Sequence, residues 1–240
     1  QVPRQPVHLM FEISPAEWTA ILLSLRVAII ATLVATPFGI ALAWLLARRE
    51  FWGKSILDAL VHLPLVLPPV VTGYLLLLTF GRRGLVGAWL ADNLGIVFAF
   101  RWTGAALACG IMSFPLLVRP IRLSIEAIDR RLEQASSTLG AAPWQVFATV
   151  TLPLALPGVL AGMVLGFAKA IGEFGATITF VSNIPGETQT ISSAIYSLIQ
   201  TPDGDAAAGR LVIVSTVIAI SALIASEWFA RRATKRLHGN

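Results

Sequence analysis

Uncharged apolar stretches of bilayer length constrain this chain more than any other feature. Four of them have the length of one membrane span, and they cover residues 27–47, 59–81, 102–118 and 211–226. A helix needs about 20 apolar residues to cross the roughly 30 Å hydrocarbon core of a bilayer. Only 13% of the residues are charged, against roughly 25% in soluble domains. The sequence therefore predicts an all-α integral membrane protein.

A fifth uncharged interval, 134–168, is too long for one span and contains Pro143, Pro153 and Pro157. Each proline removes a backbone donor and disfavours a continuous helix. Dividing the interval at 153–157 predicts a helix from about Pro157 to Val181 and leaves 119–152 outside the lipid. The chain is then expected to have five transmembrane helices.

The distribution of Lys and Arg predicts an orientation with the N-terminus outside and the C-terminus inside. Eleven basic residues then lie on the inner side: Arg48, Arg49, Lys54, Arg119, Arg122, Arg130, Arg131, Arg231, Arg232, Lys235 and Arg236. Five lie on the outer side: Arg4, Arg82, Arg83, Arg101 and Arg210. On this topology 1–15 is an external segment, and 16–240 is a single transmembrane domain with a cytoplasmic loop at 119–153 and an external loop at 182–209.

Prolines interrupt two of the predicted spans. Pro37 lies in the first, and Pro64, Pro68 and Pro69 lie in the second. Kinked helices of this kind serve either as packing devices or as the border of a water-filled pathway. The second alternative fits a transporter better than a simple anchor.

Basic residues flank the apolar stretches without forming a continuous patch, so the net charge of +5 does not indicate a nucleic-acid partner. The sequence has one cysteine, Cys109, and its histidines are scattered at positions 8, 62 and 238. It lacks the phosphate-binding pattern G-x-x-x-x-G-K-[ST]. We therefore expect no catalytic residue, no metal site and no cofactor in this chain.

The inner loop 119–153 has the pattern of two short helices. Apolar residues recur at helical spacing up to Ala135, and Gly140 is positioned to end the first helix. Pro143 is positioned to open the second, which carries Val146 and Val150. Folding at the glycine predicts a compact element that projects from the membrane.

Residues 132–153, LEQASSTLGAAPWQVFATVTLP, resemble the coupling motif of ABC importer permeases, E-A-A-x-x-x-G followed by I-x-L-P. Gly140, Leu152 and Pro153 match this motif, and Val150 stands at the isoleucine position. Gln134, Ala135 and Ser136 occupy the E-A-A positions, and Glu133 precedes them. The resemblance implies that these residues dock on a separate ATPase subunit, which holds ATP and Mg²⁺.

Two ionisable residues, Lys169 and Glu173, lie four positions apart inside the predicted fourth span. Charges at this depth either pair with each other or border a polar pathway. In the second case Lys169 makes the pathway acceptable to an anion, and Glu173 holds the lysine or a gate, with Thr177 and Thr179 nearby. In the external loop, 191–199 is apolar enough for a short helix, which either receives a substrate-binding protein or merely connects two spans.

Further motifs, GEFGATITFVSNIPGETQTI, HLPLVLPPVVTGYLLL and GRRGLVG, resemble permeases of molybdate ABC importers across residues 18–228. The resemblance implies the MetI-like fold and a homodimer in lipid in the bacterial inner membrane, with two ATPase subunits and an external oxyanion-binding protein. It also implies alternating-access transport of molybdate and tungstate. Alternatives are a sulfate or thiosulfate permease and an ion-coupled secondary transporter. An inverted repeat or several intramembrane carboxylates would favour the last, but only Glu173 lies well inside a span.

Overall fold

The computed structural model describes residues 13–238, which form helices and contain no strand. The predicted external segment 1–15 lies mostly outside these residues. The helices are α1 (Pro15–Arg48), α2 (Lys54–Val66), α3 (Pro69–Phe80), α4 (Leu85–Leu94), α5 (Trp102–Glu126), α6 (Arg130–Thr138), α7 (Pro143–Ile171), α8 (Gly175–Val181), α9 (Ile191–Leu198) and α10 (Asp205–His238).

Four helices, α1, α5, α7 and α10, are long and apolar enough to cross a membrane. The pair α2 and α3 meets the same criterion together but is bent by 115°. Counting this pair as one broken span gives five spans, as the sequence predicted. The stretches 27–47, 102–118 and 211–226 each lie within one helix.

The stretch 59–81 does not form one straight helix. Pro68 has φ −53° and ψ 135°, an extended conformation, because the following Pro69 disfavours helical geometry in the residue before it. The carbonyl of Pro68 then accepts from the N–H groups of Val71 and Thr72 and starts α3. Helix α4, which follows a short turn, was not predicted.

The predicted division of the long interval at 153–157 is wrong. The chain breaks instead at 139–142, and α7 runs without interruption through Pro153 and Pro157. Residues Phe147–Thr151 form one wider π-helical turn, which gives the carbonyls before Pro153 room for its ring. The expected second short helix is thus the first part of the long helix α7.

The predicted end of this span at Val181 is also wrong. Helix α7 ends at Ile171, and the chain turns through Gly172 and Phe174 before α8 begins. Helix α8 packs closely on α3, where an added Cβ at Gly73 would lie 2.6 Å from the carbonyl oxygen of Ala176. The backbone break places the region around Glu173 beside the break between α2 and α3.

Helices α1, α5 and α7 form the centre of the molecule. The fully buried side chains there include Leu117 and Ile121 of α5 and Phe180 of α8. Gly162 of α7 lies against the carbonyl of Leu117. The short helix predicted at 191–199 is present as α9, and the Ile191 N–H donates to Ser24 Oγ of α1 at 2.7 Å.

Candidate functional site

Helix α6 and the turn after it form the element that resembles the coupling motif. Asp129 caps the start of α6 by accepting from the Arg131 N–H at 2.9 Å. At its end Gly140 has φ +88°. The Gly140 N–H donates to the carbonyl of Ser137, and the Ala141 N–H donates to the carbonyl of Ser136. This pair of bonds is a Schellman termination, which favours glycine at the left-handed position. The predicted helix end at Gly140 is confirmed.

Glu133 points into the molecule. One of its oxygens, Oε2, lies 3.0 Å from Arg48 Nε, and the other, Oε1, accepts from Thr151 Oγ1 at 2.6 Å. Arg48 Nη2 also donates to the carbonyl of Ile128 at 3.3 Å. Only 8% of the Arg48 side chain and 17% of the Glu133 side chain are exposed. This cluster ties α6 to the end of α1 and the start of α7.

The surface of the same element carries exposed apolar side chains. Leu139 is 89% exposed and Trp144 is 71% exposed, and Gln134 and Ala135 beside them are also exposed. A groove of about 470 Å³ separates α6 from the start of α7 and is lined in part by Gln134. We call the surface of Gln134, Leu139 and Trp144 the loop surface.

The other residues that match the coupling motif lie on α7. Val150 belongs to the π-helical turn, which packs on α6. Leu152 packs against a buried cluster that contains Leu117. Pro153 is exposed. The structure thus brings Glu133, Gln134 and the π-helical turn together, while Leu152 helps to anchor α7.

Lys169 and Glu173 form an ion pair, with 2.6 Å between Lys169 Nζ and Glu173 Oε2. The Glu173 side chain is 1% exposed and that of Lys169 is 30% exposed. The second carboxylate oxygen accepts from the Ala176 N–H at 3.0 Å, at the start of α8. The carboxylate therefore both neutralises the lysine and holds the first turn of α8.

Thr177 and Thr179 are hydrogen bonded within their own part of the chain. Thr177 Oγ1 donates to the carbonyl of Phe174 at 2.9 Å and is buried. Thr179 Oγ1 donates to the carbonyl of Gly175 at 2.8 Å and lies against Gly73. Thr177 packs within the chain, and Thr179 lies at the contact between α3 and α8.

Several interacting residues were not singled out from the sequence. In the sequence Arg48 is only an orientation signal, although in the structure it holds Glu133. Asp58 of α2 accepts from Arg122 of α5 at 2.8 Å, and Arg122 also donates to Glu126 at 2.8 Å. The four-residue spacing of Arg122 and Glu126 is a readable signal. The contact with Asp58 depends on the tertiary fold.

Comparison with known proteins places these features in one family. The model of the family described as binding-protein-dependent transport system inner membrane component matches residues 35–237. The chain is 60% identical over 220 residues to the molybdenum transport system permease protein ModB of Escherichia coli strain K12, covering 92% of this chain and 96% of the relative. It is 56% identical to the ModB protein of Haemophilus influenzae, with the same two coverages.

A solved structure has a fold similar to that of this chain. The crystal structure of a bacterial ABC transporter involved in the import of the acidic polysaccharide alginate matches with a TM-score of 0.74 at 20% identity. The match covers 97% of this chain and 85% of that chain. On the family match and the two relatives together, this multi-pass membrane protein belongs to the binding-protein-dependent transport system inner membrane components.

Proposed function

We propose that this chain is the permease subunit of an ATP-driven ABC importer that moves molybdate, and with it tungstate, across the bacterial inner membrane. The observation that carries the proposal is 60% identity to a molybdenum transport permease over 92% of this chain and 96% of the relative. Similarity over nearly the whole length of both chains includes the coupling loop as well as the spans.

The loop surface is the part of the chain that we assign to a separate ATPase subunit. Leu139 lies in the turn before α7 and Trp144 in the first turn of α7. Both expose apolar area, and large exposed aromatic residues are frequent anchors of protein interfaces. The sequence lacks a phosphate-binding loop, so ATP and Mg²⁺ belong to that partner. Movement of the docked loop reaches α1 and α7 through the bonds of Glu133 to Arg48 and Thr151.

Two copies of the chain, each with one ATPase subunit, form the proposed transporter. An oxyanion-binding protein delivers the substrate from outside at the loop 182–209, and alternating access follows from nucleotide-driven movement of the docked loops. Between Lys169 and Glu173, the lysine is the more exposed member of the ion pair. It is therefore the group of this pair that an anion in the pathway reaches.

Uptake competition tests the substrate. Cells that lack their own molybdate importer and express this chain with its partner subunits are given labelled molybdate at a low concentration. We expect unlabelled tungstate to suppress uptake and a hundredfold excess of sulfate to leave most of it. Suppression by sulfate as strong as that by tungstate would instead indicate a sulfate permease. Sulfate is the relevant competitor because it has nearly the same shape and charge as molybdate.

A further inference from the structure

An apolar groove of about 670 Å³ runs along the outside of the bundle between α1, α2 and α5. Its floor consists of small residues, Ala31 of α1 and Ala106 and Gly110 of α5. Its rim is formed by larger exposed side chains, among them Phe38 and Leu60. We call the space over these small residues, between the larger side chains, the channel. The groove lies against membrane-spanning helices, where such a surface meets lipid tails.

A cation stands at one end of this groove. The guanidinium carbon of Arg26 lies 3.7 Å from the ring centroid of Trp102, and Trp102 itself lines the groove. Arg26 is exposed, and within residues 13–238 it forms no ion pair with a carboxylate. Stacking occupies the face of the guanidinium and leaves its in-plane N–H donors available to an anion.

The groove has the direction and length that a phospholipid requires. Arg26 directly precedes the uncharged stretch 27–47, and Trp102 is the first residue of α5. Arginine and tryptophan at these positions are typical of the level of lipid headgroups. From Trp102 the groove continues along α5 to Phe114, which is about 18 Å at 1.5 Å per residue. The cation lies at the headgroup level and the apolar channel leads from it into the hydrocarbon core.

We propose that this groove binds an anionic phospholipid, with one acyl chain in the channel and the phosphate held by Arg26. Basic residues at the mouths of pockets between transmembrane helices are suited to such headgroups. A second copy of the chain is the alternative occupant of the groove, and cross-linking between copies distinguishes it from a lipid.

Native mass spectrometry of the full-length chain tests this binding site. The protein is purified in detergent, stripped of lipid and titrated with phosphatidylglycerol or with phosphatidylcholine carrying the same acyl chains. We expect the original chain to bind phosphatidylglycerol more tightly than phosphatidylcholine. Arg26→Gln should weaken the binding of phosphatidylglycerol about tenfold, the scale of one hydrogen bond to a charged group. Arg26→Lys should retain most of the preference for phosphatidylglycerol over phosphatidylcholine. Arg82→Gln, which removes an exposed charge far along the chain, should bind lipid as the original does.

A second variant tests the channel. An added Cβ at Gly110 would lie 3.8 Å from the carbonyl oxygen of Ala31, so Gly110→Leu places a side chain in the groove. We expect this variant to weaken the binding of both lipids at least tenfold. Gly209→Leu is its control, because an added Cβ there meets nothing within 4 Å. Unchanged helical circular dichroism and elution volume show that each variant is folded.

Four results would overturn the proposal. The first is equal affinity of the original chain for the two lipids. The second is loss of binding in Arg82→Gln or Gly209→Leu as large as in the groove variants. The third is efficient disulfide cross-linking between two copies through Val34→Cys at the groove, since a second copy would then occupy the channel. The fourth is displacement of the lipid by millimolar inorganic phosphate alone, which would assign Arg26 to free anions.

Discussion

The guanidinium of Arg48 at the end of α1 holds the carboxylate of Glu133 on α6, with 3.0 Å between Nε and Oε2. The same carboxylate accepts from Thr151 at the start of α7. Three elements thus meet at one acidic side chain. The acidic residue beside the coupling motif acts within the chain, and Gln134 next to it faces outward.

Replacement of Glu133 by Ala should loosen α6 from the bundle. Arg48, only 8% exposed, would lose its counter-charge, which costs about 1–3 kcal/mol for a buried charged donor. We expect a lower melting temperature in detergent and slower molybdate uptake. Glu50→Ala is the matched control, because Lys54 holds the pKa of the Glu50 carboxyl below its usual range but the Glu50 side chain is 86% exposed. An unchanged melting temperature in Glu133→Ala would contradict the structural role of this cluster.

Gly140 should tolerate only residues that adopt a left-handed conformation. Its φ is +88°, and an added Cβ would meet nothing within 4 Å, so the cost of substitution is conformational and amounts to about 1–2 kcal/mol for a side chain with Cβ. We expect Gly140→Val to weaken copurification of the ATPase subunit and Gly140→Asn to preserve most of it. Equal copurification with both variants would show that the turn geometry does not matter for docking.

Trp144 should be an anchor of the proposed ATPase interface. Truncation of a central aromatic residue costs about 2 kcal/mol or more of binding free energy in many interfaces, so Trp144→Ala should weaken the complex roughly thirtyfold. Trp52, 97% exposed in the turn between α1 and α2, provides the control Trp52→Ala. Pull-down titrations with the ATPase subunit measure both affinities. If Trp52→Ala weakens binding as much as Trp144→Ala does, the loop surface is not the specific contact.

The ion pair of Lys169 and Glu173 should respond asymmetrically to substitution. Lys169→Met leaves a carboxylate that is 1% exposed without a counter-charge, and breaking such a pair costs about 3–5 kcal/mol. Glu173→Gln should cost less, because the amide oxygen still accepts from the Ala176 N–H and the lysine is partly hydrated. The double variant should therefore melt at a higher temperature than Lys169→Met alone.

Uptake by this double variant separates the two roles considered for the pair. Restored stability together with restored uptake would assign Lys169 to assembly alone. Restored stability with uptake still lost would support contact between the lysine and the transported anion. A double variant that melts no higher than Lys169→Met would contradict the pairing argument itself.

Prolines show where prediction from the sequence succeeds and where it fails. The consecutive Pro68 and Pro69 do break the helix, because the second forces the first into an extended conformation. Pro153 and Pro157 do not. Pro153 follows a wider π-helical turn with only Leu152 between them, and Pro157 lies inside the continuing helix. The same residue type therefore divides one span and is accommodated in another, and the difference depends on hydrogen bonds that no single-residue rule contains.

Local geometry also separates the predictable from the unpredictable parts of the site. The end of α6 at Gly140 was readable, since a glycine at a helix end is a local signal. The spacing of Lys169 and Glu173 was readable for the same reason. The partner of Glu133 is 85 positions away in sequence, so its inward orientation follows only from the packing of α1 against α6 and α7.

Reconstitution in proteoliposomes tests the central claim most directly. This chain, its ATPase subunit and its binding protein are incorporated together, ATP is supplied on the ATPase side, and accumulation of labelled molybdate is measured. We predict accumulation that requires ATP, the ATPase subunit and the binding protein, and that sulfate at the same concentration does not suppress. Accumulation by this chain alone under an ion gradient, or ATP-dependent accumulation of sulfate with none of molybdate, would contradict the account.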